Sequence, residues 1–405
     1  MSGLHPCFGA LTGACAVLLL STQPGAAKGP AAITVIRAFP TELVFWLAAG
    51  SQGGSPRHDG GEIVELRPYQ TYSPEVVAAT AWQGRLTSGE VTLPRFVEGR
   101  DRLYSKFQLV ESTTKRALGP PHWVDDLDGV PAWHFPIPWP TGKKGVTCPV
   151  DLEDLKALGV KYADTGVVLA GLFDWTGGPA QETWEVDGQR IPINVHYVAD
   201  LDRQVKRMTE LGINVTLIPV NGVPKQPDPA NPLINPRTDL AHAPNHIGAF
   251  NLTDERGLRY YRAAFEYLAH RYSDPSREHG WVSGYIVGNE LQSHWAWHNM
   301  GRVAPEEVTR EYADQLRIAW LAVRRFDRGV RIYASMDHTW ATHLDPDPLK
   351  SMRGDQFLER LNRIITAEAT SPGTWRSIPI PRICLSHASG TTRRRPWGSI
   401  RPGSP

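Results

Sequence analysis

A chain of 405 residues is too long for one average domain and long enough for a barrel-sized α/β domain with a smaller companion. Its 43 basic and 42 acidic residues nearly cancel, which excludes a general polyanion-binding surface and with it an expected nucleic-acid partner. Apolar content of 41% against 21% charged residues is ordinary for a globular protein, and the 14 tryptophans suit either sugar rings or a core.

The first segment reads as an export signal, residues 1–27. FGALTGACAVLLLS is an apolar run of signal-peptide length, too short to span a bilayer well. The small residues of TQPGAAKG suit cleavage near Ala26 or Ala27, although only His5 could charge the region before the run. The expected location is secreted or periplasmic, with no membrane attachment after signal removal. Cleavage takes away Cys7 and Cys15 and leaves Cys148 and Cys384, so neither a disulfide framework nor a Cys-based metal site is expected.

Residues 31–115 read as a β-rich, sandwich-like domain. AAITVIRAF, ELVFWLAA, EIVELRPY, VVAATAW, GEVTLPRF and LYSKFQLVE are short β-branched or aromatic runs between Gly, Pro, Ser and Asp clusters. No aromatic row stands out at strand spacing, so packing is expected of this domain rather than sugar binding. Residues 116–150 form a connector rich in Pro and Trp, a linker or a wall of the site.

Residues 151–370 alternate buried strands with amphipathic helices. TGVVLAGLF, NVTLIPV, WVSGYIVGNE and RIYASMDHTW are near-continuous strands. Leu201, Val205, Met208 and Leu211 share one helical face, with Gly212 at its end. Leu258, Tyr261, Phe265, Leu268 and Tyr272 share another, and a third helix follows Pro305 with Val308, Tyr312, Leu316, Trp320 and Val323. GDQFLERLNRIITAEA is a fourth helix. Repeated βα units predict a parallel sheet, and the lack of a GxGxxG or Walker A sequence favours a barrel over a nucleotide-binding open sheet. No cofactor is expected.

Barrels carry reactive groups where the βα loops open, at the carboxyl ends of the strands. YIVG delivers Asn289 and Glu290 there, followed by Gln292, His294, Trp295, Trp297, His298 and Asn299 within LQSHWAWHNMG. The plain alternative is a capping Asn, a Glu paired with an Arg, and packed tryptophans. At other strand ends, Asp174 and Trp175 either line the site or begin a loop, while Asn221 and the group Asp337, His338 and Trp340 are further candidates. His242 and His246 in HAPNH have metal-compatible spacing, but no HExxH-like carboxylate accompanies them, so solvated loop histidines are expected and no metal. Asn251-Leu-Thr253 is a glycosylation sequon, meaningful only in a eukaryotic secretory host.

The run IVGNE resembles the signature of the large clan of retaining glycoside hydrolases built on (β/α)8 barrels, whose fourth strand ends in Asn-Glu. More narrowly, the chain is similar to a family of secreted bacterial glycosidase-like proteins of unassigned function. The resemblance extends loosely from Asp151 to Ala369. It implies that Glu290 is the acid/base, that Asn289 contacts the sugar 2-hydroxyl, and that an oligo- or polysaccharide is the partner. Retention needs one carboxylic acid to protonate the leaving oxygen and a second carboxylate about 5–5.5 Å away as nucleophile. A Trp-lined, partly apolar pocket keeps the acid protonated near neutral pH. The alternatives are a non-catalytic carbohydrate-binding or surface protein on a degenerate barrel, and a metal-dependent hydrolase using His242 and His246.

The resemblance places the nucleophile at the end of the seventh strand, and too few residues follow Ala369 for three more βα units. Residues 371–405 have six Arg, no Lys, no Asp and no Glu. A disordered basic tail is one reading; a frameshift fits better. Moving the frame by one nucleotide under Ser377–Pro381 can spell His-Pro-Tyr-Pro. Continuing through Thr391 allows Glu-Asn-Leu-Phe-Glu-Pro-Arg and then Trp-Asn-Asp, a stretch suited to a sixth strand and its loop. The expected consequence is a barrel truncated after its fifth βα unit, without its nucleophile. The nucleotide sequence tests this: a barrel-like continuation in the next frame is expected, and an immediate stop there would sink the idea.

Overall fold

The computed structural model describes residues 31–50, 60–75, 79–136, 140–142, 144–147, 149 and 151–369. The export segment, all four cysteines and the basic tail lie outside the described residues.

The N-terminal runs form strands close to the expected positions: β1 (Ala32–Ala38), β2 (Glu42–Ala48), β3 (Gly61–Leu66), β4 (Ala79–Gly84), β5 (Gly89–Pro94) and β6 (Lys106–Glu111). A further strand, β7 (His122–Trp123), comes from the connector and pairs with β6, Lys106 opposite Trp123. The strands make two antiparallel sheets, β1-β2-β5 and β4-β3-β6-β7. Inward residues of both are buried, and Phe45 meets Phe107 edge-on at 4.9 Å. The other end of the connector supplies β8 (Gly145–Thr147), which joins the second half of the molecule. The connector is therefore stitched into both halves, and its described prolines fall outside the paired residues, where no ladder donor is lost.

From β8 onward the chain alternates α1 (Leu152–Ala157), β9 (Tyr162–Val168), α2 (Val195–Glu210), β10 (Asn214–Gly222), α3 (Glu255–Tyr272), β11 (Val282–Val287), the short α4 (His294–Trp297), α5 (Pro305–Arg324), β12 (Arg331–Ala334) and α6 (Gly354–Ala367). Strands β8 to β12 lie side by side in sequence order, all parallel. The protein is thus a mixed α/β fold with a parallel sheet, and β11 is its fourth strand. Two strands stop earlier than their apolar runs. LAGL after Val168 closes into a 3-10 turn, and the last strand ends at Ala334, because the ladder partners end there.

Local chemistry explains the helices. Asn194 and Asp254 accept from the backbone N–H groups of Tyr197 and Gly257, capping α2 and α3. Gly212 takes a left-handed φ of +71° just past α2, where any other residue would be strained. Pro305 opens α5 with Glu306 and Glu307 in the first turn, favourable for the helix dipole.

The parallel sheet has two unlike faces. Ala163, Thr165, Val167, Val215, Leu217, Tyr285, Val287, Ile332 and Ala334 are buried on the helix side, where Thr165 donates to Gln204 of α2. On the other side Asp164, Thr216, Ile218, Val220, Ile286 and Tyr333 are only half-buried and Val168 is exposed. Gly284 lies on that side, where a Cβ would sit 2.6 Å from the Tyr333 ring. Among the described residues the sheet is open, with β8 and β12 at its edges.

A buried ionic network joins the two halves. Arg262 of α3 donates to Asp187 at 2.6 Å and to Glu266 at 3.4 Å, and lies 3.9 Å from the Tyr104 ring centroid. Arg325 reaches Glu266 at 3.2 Å and Asp101 at 3.7 Å, and Asp101 is held bidentately by Arg95. Removing one partner of such a network leaves buried charge uncompensated. Arg262→Met keeps most of the side-chain volume and is expected to cost about 3–5 kcal/mol in urea unfolding. A loss under about 1 kcal/mol would show that the network contributes little.

Candidate functional site

Strand β11 is buried except at half-buried Ile286 and stops before Gly288, whose φ of +70° turns the chain. Glu290 follows with φ 44° and ψ 55°, a left-handed conformation that costs a non-glycine residue about 1–2 kcal/mol. Neighbouring structure holds it there. The Gly288 N–H donates to the Pro219 carbonyl of β10 at 3.0 Å. On the other side, Ser335 just past β12 receives the Glu290 N–H on its hydroxyl (3.2 Å) and the Leu291 N–H on its carbonyl (3.2 Å). Its hydroxyl donates to the Asn289 side-chain oxygen at 3.3 Å.

Two residues further on, the Asp337 carboxylate is buried and accepts from Gln292 Nε2 at 2.8 Å, from Ser293 Oγ, and from the Thr339 N–H at 2.6 Å and its hydroxyl. The loops after β11 and β12 are therefore laced together by hydrogen bonds from consecutive residues. The Met352 N–H on the Gln292 carbonyl (2.7 Å) and the Trp295 N–H on the Lys350 carbonyl (3.1 Å) extend the lacing toward α6.

The Glu290 side chain is half-buried. Burial pushes its carboxyl above the usual range, and the Asp337 carboxylate pushes it further; His338 and a hydrogen bond from Trp297 pull the other way. Asn289, Glu290, Trp297, Asp337 and His338 are thus brought together at the carboxyl ends of β11 and β12. The arrangement can present a protonated carboxyl beside a neutral amide and an indole, the equipment of a general acid.

Other expected contacts lie elsewhere. His294 is fully buried and, among the described residues, neither ring nitrogen has a hydrogen-bond partner; burial lowers its pKa to about 4. Asn221 is also fully buried, its amide donating to the Leu233 and Ala249 carbonyls at 2.7 Å each. Both were expected to touch substrate. Instead His294 packs inside, and Asn221 clamps the long loop after β10, whose buried carbonyls need a donor. Trp295 is half-buried with the Lys350 ammonium 4.5 Å from its ring centroid. Trp340 is exposed after β12, its carbonyl receiving the Asp355 N–H. Asp174 begins a loop and accepts from the Thr176 N–H at 2.9 Å, which together with the Thr176 hydroxyl lowers its pKa. Beside it, exposed Trp175 stacks on Tyr260 at 5.4 Å.

His242 and His246 are exposed, and His242 lies 3.0 Å from Asp239. Among the described residues no cluster of three or more His, Cys, Asp or Glu is placed to hold a metal ion. Asn251 of the sequon is buried, with its amide given to the Pro232 carbonyl and Asp254, so the folded chain does not present it for glycosylation. Ser335 escaped sequence reasoning. Its one signal is a small hydroxyl residue at the point where the apolar alternation of β12 stops.

Solved structures similar to the chain are glycoside hydrolases. GH5_18 from Bifidobacterium longum subsp. longum in complex with Manβ1-4GlcNAc is 19% identical, with 49% of this chain and 40% of that one covered and a TM-score of 0.30. A β-glucosidase from Thermotoga maritima in complex with cyclophellitol is 13% identical over 47% and 37%, at 0.29. The β-glycosidase of Thermosphaera aggregans is 15% identical over 46% and 42%, at 0.30. The chain thus spans about two fifths of the length of these structures. No curated protein matches the sequence. A model described as a family of unknown function (DUF5722) matches residues 136–375, more than half of the chain, and the chain belongs to that family.

Proposed function

We propose that this chain is an exported glycoside hydrolase-type protein, its five βα units forming the front part of a (β/α)8 barrel with Glu290 as general acid/base. One observation carries the reading. Glu290 stands at the carboxyl end of the fourth parallel strand, half-buried, on a left-handed backbone, with its carboxyl raised by burial and by Asp337. Parallel βα architecture gathers reactive groups at that end of the strands. An acid that must protonate a glycosidic oxygen needs a carboxyl that keeps its proton toward neutral pH, and desolvation supplies that. Asn289 beside it offers an amide for a sugar hydroxyl without adding charge. Trp297 offers a flat apolar wall for the ring.

Double displacement also needs a nucleophilic carboxylate. The acidic neighbour that acts on Glu290 is Asp337, which is buried and already accepts four hydrogen bonds, three on one oxygen and one on the other. This favours a second reading, a carbohydrate-binding protein that keeps the fold and lacks the chemistry. A glycan panel separates the two. Under the first reading Glu290→Gln lowers kcat/KM by at least about a hundredfold; under the second, glycans bind without turnover, and neither binding nor turnover defeats both.

The raised carboxyl also has a consequence for stability. A Glu that binds its proton more tightly folded than unfolded stabilises the fold in acid, and that stabilisation is lost as pH rises above 4.5, its ordinary value. Glu290→Gln is therefore expected to gain stability relative to the parent chain as pH rises from 4 to 7. Urea midpoints across that range check it, and a difference that stays flat would contradict the raised carboxyl.

A further inference from the structure

We propose that Asp337 is a positioning residue for Glu290: a buried carboxylate, filled by neutral donors, that braces the turn carrying Glu290 and holds a fixed negative charge beside it. This rests on reading Glu290 as the acid.

The geometry separates brace from charge. Gln292 and Ser293, two and three residues after Glu290, both donate to Asp337, and Thr339 donates twice from the segment after β12. All of these groups are uncharged, and among the described residues Asp337 makes no ion pair with Lys, Arg or His. Every contact is a donor, so the carboxylate acts as acceptor only. Neutral hydrogen bonds satisfy a buried carboxylate without cancelling its charge, and the field of that charge acts on Glu290. Facing Glu290 are Asp337, the exposed His338, and the uncharged Trp297. His338 opposes Asp337 but lies at the surface, where water and salt screen it. The buried charge is screened less and sets the balance. A sugar-contacting role for Asp337, the expectation from sequence, would have to compete with these bonds: three donors crowd Oδ1, Ser293 holds Oδ2, and the side chain is buried.

Asp337→Asn keeps the shape and most of the acceptor capacity while deleting the charge. The Ser293 hydroxyl can turn to accept from the new amide. Titration of the full chain followed by side-chain carboxyl 13C NMR, with the Glu290 signal assigned by its loss in Glu290→Gln, reads the effect directly. The Glu290 midpoint is expected to move down in Asp337→Asn; an unchanged or higher midpoint overturns the proposal. Should that variant fail to fold, Asp337→Ser, smaller and also neutral, gives the same comparison. Where a substrate is turned over, the high-pH limb of kcat/KM should shift to lower pH in Asp337→Asn, and a limb that stays in place counts against the proposal. If no glycan is turned over by the parent chain, the glycosidase reading fails alone, because the NMR titration decides the role of Asp337 without activity.

Discussion

The two halves of the molecule share one core because charged groups are buried between them without being left unpaired. Arg262 and Arg325 project from α3 and from the end of α5 into a space lined by Tyr104, Asp101, Asp187 and Glu266. Each would be expensive to bury alone, and together they neutralise one another. The network is also selective about geometry. Asp187 reaches Arg262 from the tip of a hairpin formed by Thr183–Val186 and Gln189–Pro192, at a left-handed φ of 49°, and its other oxygen accepts the Asp101 N–H. Asp101 in turn caps the turn at Leu103 and holds Arg95. Hairpin, N-terminal sheets and helices therefore fit in one relative placement, which fixes the helices against the parallel sheet.

With the helices fixed, the strands lie in sequence order and their carboxyl ends form a row. Neighbouring ends then lace to one another, because loops leaving adjacent parallel strands run side by side. Pro219 holds Gly288 from one neighbour, and Ser335 and Asp337 hold residues 289–293 from the other. Glu290 owes its placement less to its own strand than to the strands on either side. A helix or hairpin scaffold would not offer this two-sided support.

Much of this was legible in the sequence, for identifiable reasons. The helices read well because their buried positions recur at three and four: Leu201, Val205 and Met208 of α2, and Tyr312, Leu316 and Val323 of α5, are all buried as the pattern requires. Strand β11 read well because IVGNE ends an apolar run with polar residues. What periodicity could not show was how far each strand runs, since LAGL is as apolar in a 3-10 turn as in a strand. Nor could it separate a polar residue that meets solvent from one that meets the backbone. Asn221 and Asp337 lie at or just past strand ends like Glu290, and His294 opens α4 beyond one, yet all three side chains are buried. The fates of Asn221 and Asp337 depend on partners distant in sequence, such as the carbonyls of Leu233 and Ala249 or the amide of Gln292, and no local pattern encodes those. The β7 and β8 segments were missed for a related reason. Strands of two and three residues carry no alternation, and their pairing partners define them.

Glu290 combines two costs that a purely structural residue would avoid: a left-handed backbone and a carboxyl pushed toward its neutral form. Glycine at 290 would relieve the first, and an amide would relieve the second. The structure spends a serine hydroxyl, a serine carbonyl and a buried aspartate on holding the residue in place. Supporting interactions of this kind stabilise the loop whether or not residue 290 is acidic. The charge on Asp337 is different: it strengthens the bonds that brace the loop, and it also works against ionisation of Glu290. A raised carboxyl kept beside a buried charge that only an exposed histidine opposes makes physical sense where the proton on Glu290 is the thing being kept.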